Sequence, residues 1–229
     1  MFQPHDMRTM SDTDSSLSAD SISRDTPVRK RPKPGERRVQ ILQALASMLE
    51  HPGGERVTTA ALAARLEVSE AALYRHFASK AQMFEGLIEF IEQTVFSLVT
   101  QILERETTAG GDATEVARRQ LAKITGMVVQ FAEKNPGMAR VMVGDALVYE
   151  NERLQQRMNQ FFDKLESIYR QCLRDTSLTA GSATPTVDAQ VRATALTAFV
   201  MGRLQRFARS GFKRPPSEYL EPSLNLLLG

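Results

Sequence analysis

The stretch VTTAALAARLEVSEAALYRHF, residues 57–77, decides the fold of this 229-residue chain. Thr58 stands at the N-cap position of a short helical pattern, and Val57 and Leu62 occupy the two places of a hydrophobic staple around it. The same arrangement recurs with Ser69 as the cap. Two capped helices of about eight residues, joined by a turn of about three, are the sequence form of a helix-turn-helix.

The second of these short helices presents a small and polar face. At about 100° per residue, Leu73 and Phe77 point together toward a core. Ala71 and Arg75 point the opposite way, with Tyr74 on the flank. The small Ala71 end lets the backbone approach a groove, while the hydroxyl and the guanidinium can bond phosphate oxygens or guanine edges. The pattern predicts a DNA-reading helix, and the alternative is an ordinary helical hairpin in an all-α core.

The composition of the chain indicates an all-α protein in the cytoplasm. Hydrophobic residues make up 42% of the sequence, yet no apolar run approaches the roughly 18 residues that a membrane span needs. The polar N-terminus has no apolar segment of the kind that directs export. The single cysteine, Cys172, excludes an intramolecular disulfide and fits a reducing cytosol. Many Ala and Leu, ten Met and no Trp favour helices.

Basic residues are concentrated near the N-terminus, although the net charge of the chain is only +2. Residues 29–38 hold six basic side chains and one acidic one, a local net charge of +5. Residues 1–28 are rich in Ser, Asp and Thr, and we expect them to be disordered. Prolines keep residues 29–35 extended, and an extended basic arm suits a DNA groove or phosphate strand; the alternative is a solvated tail. The arm residues expected to contact DNA are Arg29, Lys30, Arg31 and Lys33.

Helical spacing continues to the C-terminus. A first helix at about 36–50 completes a predicted DNA-binding domain at 36–78. Ser79 and Gln82 form a capping box that opens a long helix ending near residue 106. The remaining domain, 79–229, is expected to contain further helices. One of them ends at about residue 134, and the others lie at about 138–143, 147–174, 187–210 and 217–228.

The helix at 187–210 is apolar on two sides and therefore needs two partners. One partner is the core of its own subunit, and we expect the other to be the same helix of a second chain in a C2 dimer. The residues expected at this dimer interface are Val191, Ala195, Ala198, Phe199, Gly202 and Phe207.

The run LAARLEVSEAALYRHFASKAQMF, residues 62–84, resembles the DNA-binding head of the TetR family. The resemblance implies an all-α homodimer with a three-helix N-terminal head and a helical C-terminal dimerisation domain. Glu67 departs from the pattern, because the family often has Gly in that turn, and a positive φ there costs a non-glycine residue about 1 kcal/mol. The DNA contacts that the resemblance implies are Thr58, Thr59, Ser69, Glu70, Ala71, Tyr74, Arg75, His76 and Lys80, with Thr58, Tyr74 and Lys80 on phosphates and Arg75 near bases.

A narrower resemblance, to the nucleoid-occlusion members of that family, is carried by three stretches. They are SEAALYRHFASKAQMFEGLIEFIE (69–92), FAEKNPGMARVMVGDALVYENERLQQRMNQFF (131–162) and GRLQRFARSGFKRPP (202–216). Such proteins, when bound to chromosomal DNA, engage the C-terminal tail of the tubulin-like division protein FtsZ and block ring assembly over unsegregated DNA. The resemblance places the groove for that tail between the fourth and fifth helices, at Phe90, Leu98, Met127, Gln130, Lys134 and Asn135; Leu98, Met127 and Gln130 depart from the enterobacterial form.

Two other functions are compatible with parts of the sequence. A TetR-type repressor that leaves its operator when a small molecule fills a C-terminal cavity would have the same head. An enzyme would need a catalytic motif, but the chain has three His and one Cys and lacks a P-loop, a GxSxG elbow and metal-spaced His and Cys. Asp145 and Glu150 are expected to be surface charges rather than an acid–base pair. We therefore expect no catalysis, no cofactor and no metal.

Overall fold

The computed structural model describes residues 35–51, 56–174, 176 and 183–229, and all regular structure in them is helical. The predicted all-α fold class is confirmed. A 3-10 turn at Asp145–Leu147 separates the sixth and seventh α-helices. The α-helices of these residues are α1 Glu36–Leu49, α2 Thr59–Arg65, α3 Glu70–Tyr74, α4 Lys80–Thr108, α5 Ala113–Lys134, α6 Pro136–Met142, α7 Glu152–Leu173, α8 Pro185–Arg209 and α9 Leu220–Leu228.

The N-terminal predictions fall outside this range. The expected disordered segment, 1–28, and the arm residues Arg29, Lys30, Arg31 and Lys33 lie outside the described residues. The division into 36–78 and 79–229 stays a prediction. Buried side chains from α1 through α9 belong to one hydrophobic cluster, so the described part of the DNA-binding head and the helical body behind it share a core.

Both predicted N-caps of the helix-turn-helix are present. The Thr58 hydroxyl oxygen accepts the N–H of Ala61 at 3.1 Å, and the Ser69 hydroxyl oxygen accepts that of Ala72 at 3.3 Å. The expectation of two eight-residue helices is wrong for α3, which has five residues. The chain leaves the helix after Tyr74 in a tight turn that places the side chain of Phe77 in the core.

The turn between α2 and α3 ends α2 with a Schellman motif. Glu67 has φ 52°, its N–H bonds the carbonyl of Ala64, and the N–H of Val68 bonds the carbonyl of Ala63. These are the two bonds that satisfy the last carbonyls of a helix through a left-handed residue. The positive φ expected from the family pattern is therefore present at a non-glycine residue, where it costs about 1 kcal/mol.

The long helix α4 is the centre of the body. Its cap is as predicted, since the Ser79 hydroxyl oxygen accepts the N–H of Gln82 at 3.2 Å. By length and mean hydropathy, 1.2, α4 resembles a membrane span. Its inward face is instead part of the hydrophobic core, where Leu87, Ile91 and Val95 are fully buried. This burial is that of the central helix of a globular protein.

Helix α6 of the body packs directly on α1 of the head. Helix α6 begins with Pro136 as its first residue, and Gly137 packs so closely on α1 that a Cβ there would lie 1.9 Å from the carbonyl oxygen of Ala46. The predicted start of the next helix at about residue 147 is wrong. The chain makes the 3-10 turn instead, and α7 begins at Glu152 behind the N-cap Asn151, whose side chain accepts the N–H of Arg153 at 3.0 Å.

Candidate DNA and partner-binding sites

The outward face of α3 has the predicted composition. Leu73 and Phe77 are each 1% exposed and fix the helix on the core. Ala71 and Arg75 are exposed on the other side, and Tyr74 is 44% exposed. His76 is exposed as well. The face therefore places a small residue, a phenol and a guanidinium where a DNA groove can reach them.

The two capping hydroxyls lie at the entrances to α2 and α3. Each accepts a backbone N–H through a lone pair, and a hydroxyl that accepts in this way can still donate its own proton. Thr58 and Ser69 can therefore hold the helix N-terminus and bond a phosphate oxygen at the same time. The positive end of the helix dipole at each cap adds to the attraction for a phosphate.

Two of the implied DNA contacts are bonded to each other. The Thr59 hydroxyl donates to the Glu70 carboxylate at 2.5 Å. This bond links the first turn of α2 to the first turn of α3 and fixes the angle between them. A carboxylate repels phosphates, so Glu70 fits a positioning role, or acceptance from a cytosine amino group, better than a phosphate contact.

The sequence reasoning missed Arg38 as a site residue. Its guanidinium lies 4.1 Å from the centroid of the Phe77 ring and donates to the carbonyl of His76 at 3.2 Å. Arg38 is thus held against the end of α3, exposed to solvent. Its membership of the basic cluster at 29–38 was the one available signal, and the stacking on Phe77 was not visible from spacing.

Lys80 has a partner inside the protein. Its ammonium lies 2.5 Å from the Glu150 carboxylate, and Arg56 lies 3.7 Å from the same oxygen. Arg56 also donates to the carbonyl of Tyr149 at 3.1 Å. The Glu150 side chain is only 8% exposed, so its predicted status as a surface charge is wrong: two cations enclose it. A DNA phosphate would therefore compete with Glu150 for Lys80.

Asp145 differs from Glu150, with which the sequence reasoning had grouped it. Its side chain is 51% exposed and pairs with Arg140 at 2.6 Å. Arg140 in turn donates to the carbonyl of Leu49 at 3.2 Å, which joins the body to the C-terminal end of α1. Both carboxylates thus belong to the junction between head and body.

The predicted groove between α4 and α5 exists as a cleft of about 540 Å³. Five of the six predicted residues line it: Leu98, Met127, Gln130, Lys134 and Asn135. Phe90 does not line the cleft, but it lies about two turns earlier on α4 and is 45% exposed. The Asn135 amide donates to the carbonyl of Phe131 at 2.7 Å, and its side-chain oxygen can still act as an acceptor.

An ion cluster closes the far end of this groove. Glu106, 2% exposed, accepts from Lys123 at 2.5 Å and from Arg119 at 3.1 Å. The bond from Lys123, opposed by burial and aided by Arg119, lowers the pKa of Glu106. Lys123 also lines the cleft, and the sequence reasoning missed it because its position depends on how α5 packs against α4. The groove is therefore an apolar floor with cations at both ends.

Four of the six residues predicted at the dimer face form one exposed stripe on α8. Val191 is 61% exposed, and Ala195, Ala198 and Gly202 are exposed on the same stripe. The predicted exposure of Phe207 at the dimer face is wrong. Its side chain is only 3% exposed, and its ring lies 5.1 Å from that of Phe212. At 100° per residue, Phe207 falls about 160° from Val191 and faces its own core. Phe199 lies on the flank, half-buried beneath the Arg203 guanidinium at 4.5 Å.

The fold and the head define a DNA-binding protein of the TetR family. The family described as "Bacterial regulatory proteins, tetR family" matches residues 41–87, and the SlmA-like "Tetracyclin repressor-like, C-terminal domain" matches residues 115–229. Among solved structures, the fatty acid degradation regulator FadR from Bacillus halodurans is similar with a TM-score of 0.65 and 17% identity, over 86% of this chain and 97% of that one. A TetR/AcrR family regulator from Thermobifida fusca is similar with a TM-score of 0.59 and 17% identity, over 84% and 97%.

More specifically, the chain belongs to the SlmA family of nucleoid occlusion factors. It is 48% identical over 188 residues to "Nucleoid occlusion factor SlmA" of Aliivibrio fischeri, which covers 82% of this chain and 91% of the relative. It is 48% identical over 196 residues to the protein of that name from Vibrio vulnificus, covering 85% and 95%. The class of protein predicted from the sequence, a DNA-binding regulator of the TetR family and of the nucleoid-occlusion type, is confirmed.

Proposed function

We propose that the DNA-bound dimer of this protein binds the C-terminal tail of FtsZ in the groove between α4 and α5, and so blocks ring assembly over the nucleoid. The observation that supports this function most is a cleft between α4 and α5 that is separate from the exposed face of α3. The groove offers apolar contacts from Leu98 and Met127 and a cation at Lys134. Such a surface fits an extended peptide with apolar side chains and a carboxylate.

The DNA side of the proposal uses the exposed face of α3, with the capping hydroxyls on phosphates and Arg75 near bases. Arg38, which the structure adds, is held beside this face. The arm residues 29–33 would extend the contact to a neighbouring groove. Bound in this way, the protein acts in the cytoplasm on the nucleoid.

Pelleting of FtsZ polymers tests the proposed function. Wild-type protein with its cognate duplex is expected to reduce the amount of FtsZ that pellets, and protein without DNA is expected to have a smaller effect. The duplex is one recovered by genome-wide mapping of bound sites, which are expected to be dispersed over the chromosome and sparse near the terminus. An FtsZ pellet that is the same with and without DNA-bound protein would contradict the proposal.

The dimer is proposed to form through the exposed stripe of α8. Glutamate at Val191 would place two carboxylates near a two-fold axis in an apolar contact, so Val191→Glu is expected to give a monomer. Sedimentation velocity measures this directly. A control substitution at an exposed apolar side chain on α1, Val39→Glu (51% exposed), is expected to leave the dimer intact.

A ligand-released repressor is the second candidate, and a cleft of about 430 Å³ between the 3-10 turn, α7 and α8 favours it. Met142, Met158 and Phe162 supply an apolar floor. However, Met201 and Gln205 also line this cleft and flank the proposed dimer face, so a partner helix would cover part of it. If a small molecule that binds in this cleft released the protein from its operator, that result would favour the repressor.

A further inference from the structure

The C-terminal end of α8 carries a group of exposed cations that the proposed DNA face does not include. Arg206, Arg209, Lys213 and Arg214 are all exposed. Among the described residues, no carboxylate oxygen lies within ion-pair distance of any of the four. We call these four residues the α8 basic end. Four cations within nine residues, none of them in an ion pair with a described carboxylate, create a positive potential that favours an anionic partner.

Two of these cations have an alternative structural explanation. Arg206 and Arg209 lie in the last turn of α8, where a positive charge stabilises the helix dipole. Lys213 and Arg214 lie beyond the helix, so the dipole does not account for them. Burial and, after it, the nearby charge of Arg206 lower the pKa of Arg203, and the smaller effect of Glu218 opposes them. The positive charge at this end is therefore only partly compensated.

The turn that holds Lys213 and Arg214 is fixed at both sides. Gly211 and Phe212 have φ of 62° and 65° and end α8 with a Schellman motif, in which the N–H of Phe212 bonds the carbonyl of Phe207 at 3.0 Å. After the turn, Arg203 donates to the carbonyls of Pro216 at 2.8 Å and Glu218 at 2.6 Å. The two cations are therefore presented to solvent from an anchored turn.

The α8 basic end lies at the same end of the body as the DNA-binding head. Helix α7 starts directly after Glu150, which pairs with Lys80 of the head-proximal end of α4. Helix α8 runs antiparallel to α7, because Glu166, late in α7, accepts from Gln190, early in α8, at 2.6 Å. The late residues of α8 consequently lie level with the start of α7. Arg209 and Val148 line the same cleft.

From this placement we infer that the α8 basic end binds DNA phosphates between the two half-sites of the operator. The inference rests on the proposed DNA binding by α3 and on dimerisation through α8. Because α8 carries the dimer face, its head-side end lies beside the two-fold axis, and the two copies of the cluster lie next to each other. The duplex that connects the two recognition helices passes this point, and its backbone is the anion of matching charge.

The test compares two variants that remove equal charge. Arg209→Gln/Lys213→Gln/Arg214→Gln neutralises three of the four cations of the α8 basic end and keeps Arg206. Arg105→Gln/Arg118→Gln/Arg174→Gln is the matched control, since these exposed arginines lie at the end of the body that is remote from Lys80. Affinity for a mapped genomic duplex is measured as a function of salt for both variants and the wild type.

The first variant is expected to lose about 10-fold or more in affinity at low salt and to reduce the salt slope by about two per dimer, while the control changes little. Methylphosphonate linkages at the centre of the duplex should weaken wild-type binding and leave the first variant unaffected.

Equal salt slopes for the first variant and the control would overturn the inference. If the wild-type protein still binds the duplex in that case, the proposed function remains intact. No wild-type binding to any duplex would contradict the proposed function itself. If the first variant binds the duplex like the wild type but loses binding to vesicles rich in anionic lipid, the cluster is assigned to a membrane and the inference is overturned.

Discussion

The proposed DNA face of α3 and the groove between α4 and α5 are opposite kinds of surface. The α3 face is convex, polar and small at Ala71, and it is held by caps and by the Thr59–Glu70 bond. The groove is concave and apolar, with Lys123 and Lys134 at its ends. A convex helix enters a DNA groove, whereas a cleft with apolar walls takes an extended peptide. Because no residue belongs to both surfaces, each can be disabled while the other is kept.

The largest separation should come from Ala71→Glu. The substitution places a carboxylate and added bulk where the backbone of α3 approaches DNA, and like-charge repulsion is expected to weaken duplex binding about 100-fold or more, ~3 kcal/mol. Binding of an FtsZ-tail peptide to the groove should be unchanged. Fluorescence anisotropy measures both. Ala113→Glu, at an exposed alanine on α5, is the control and should leave both affinities unchanged; equal losses for the two variants would contradict the assignment of the α3 face.

Phe90→Ala is the reciprocal test. Phe90 is 45% exposed on α4, so removing its ring costs little stability, but loss of an aromatic anchor should weaken the FtsZ-tail peptide about 10-fold, ~1.4 kcal/mol. Duplex affinity should not change. Val148→Ala, at a 58% exposed side chain outside the α4–α5 cleft, serves as the control. A Phe90→Ala protein that binds the peptide as well as the wild type would remove Phe90 from the site.

Within the DNA face, Arg75→Ala should relax base preference. If its guanidinium reads guanine, the loss is about 1–3 kcal/mol on the preferred sequence and much less on others. Competition between a mapped site and point variants of it provides the measurement. A uniform loss across all duplexes would instead make Arg75 a phosphate contact.

The smallest effects are expected where the head meets the body. Lys80→Ala should weaken all duplexes nearly equally and flatten the salt dependence by about one unit. Glu150→Gln removes the carboxylate that competes for Lys80 and should raise duplex affinity about two- to five-fold, ~0.5–1 kcal/mol. Thermal unfolding of both variants controls for lost ion pairs. If Glu150→Gln weakens binding as much as Lys80→Ala, then Glu150 positions Lys80 rather than competing with DNA for it.

The two surfaces also differ in how far the sequence predicts them. The caps at Thr58 and Ser69 depend on residues three positions away, so local spacing was enough to place them. The same holds for the inward direction of Leu73 and Phe77. The pairing of Lys80 with Glu150 joins residues 70 positions apart, and no local pattern indicates it.

The groove between α4 and α5 also depends on contacts that local spacing does not predict. Its residues were placed by resemblance, and five of them line one cleft. Lys123 was missed because its contact with Glu106 depends on the packing of α5 on α4. Phe207 was misplaced because α8 is apolar on two sides, and composition alone does not say which side faces the subunit's own core.

The most direct test of the account is whether DNA and the FtsZ tail occupy one protein molecule together. Sedimentation velocity with a mapped duplex and a tail peptide carrying different dyes reports both in the same boundary. The expected result is a single complex that holds the duplex and one tail peptide per protomer. Ala71→Glu should remove the duplex from this complex, and Phe90→Ala should lower its peptide occupancy about 10-fold at peptide concentrations below the Kd. Displacement of the peptide by the duplex would contradict it.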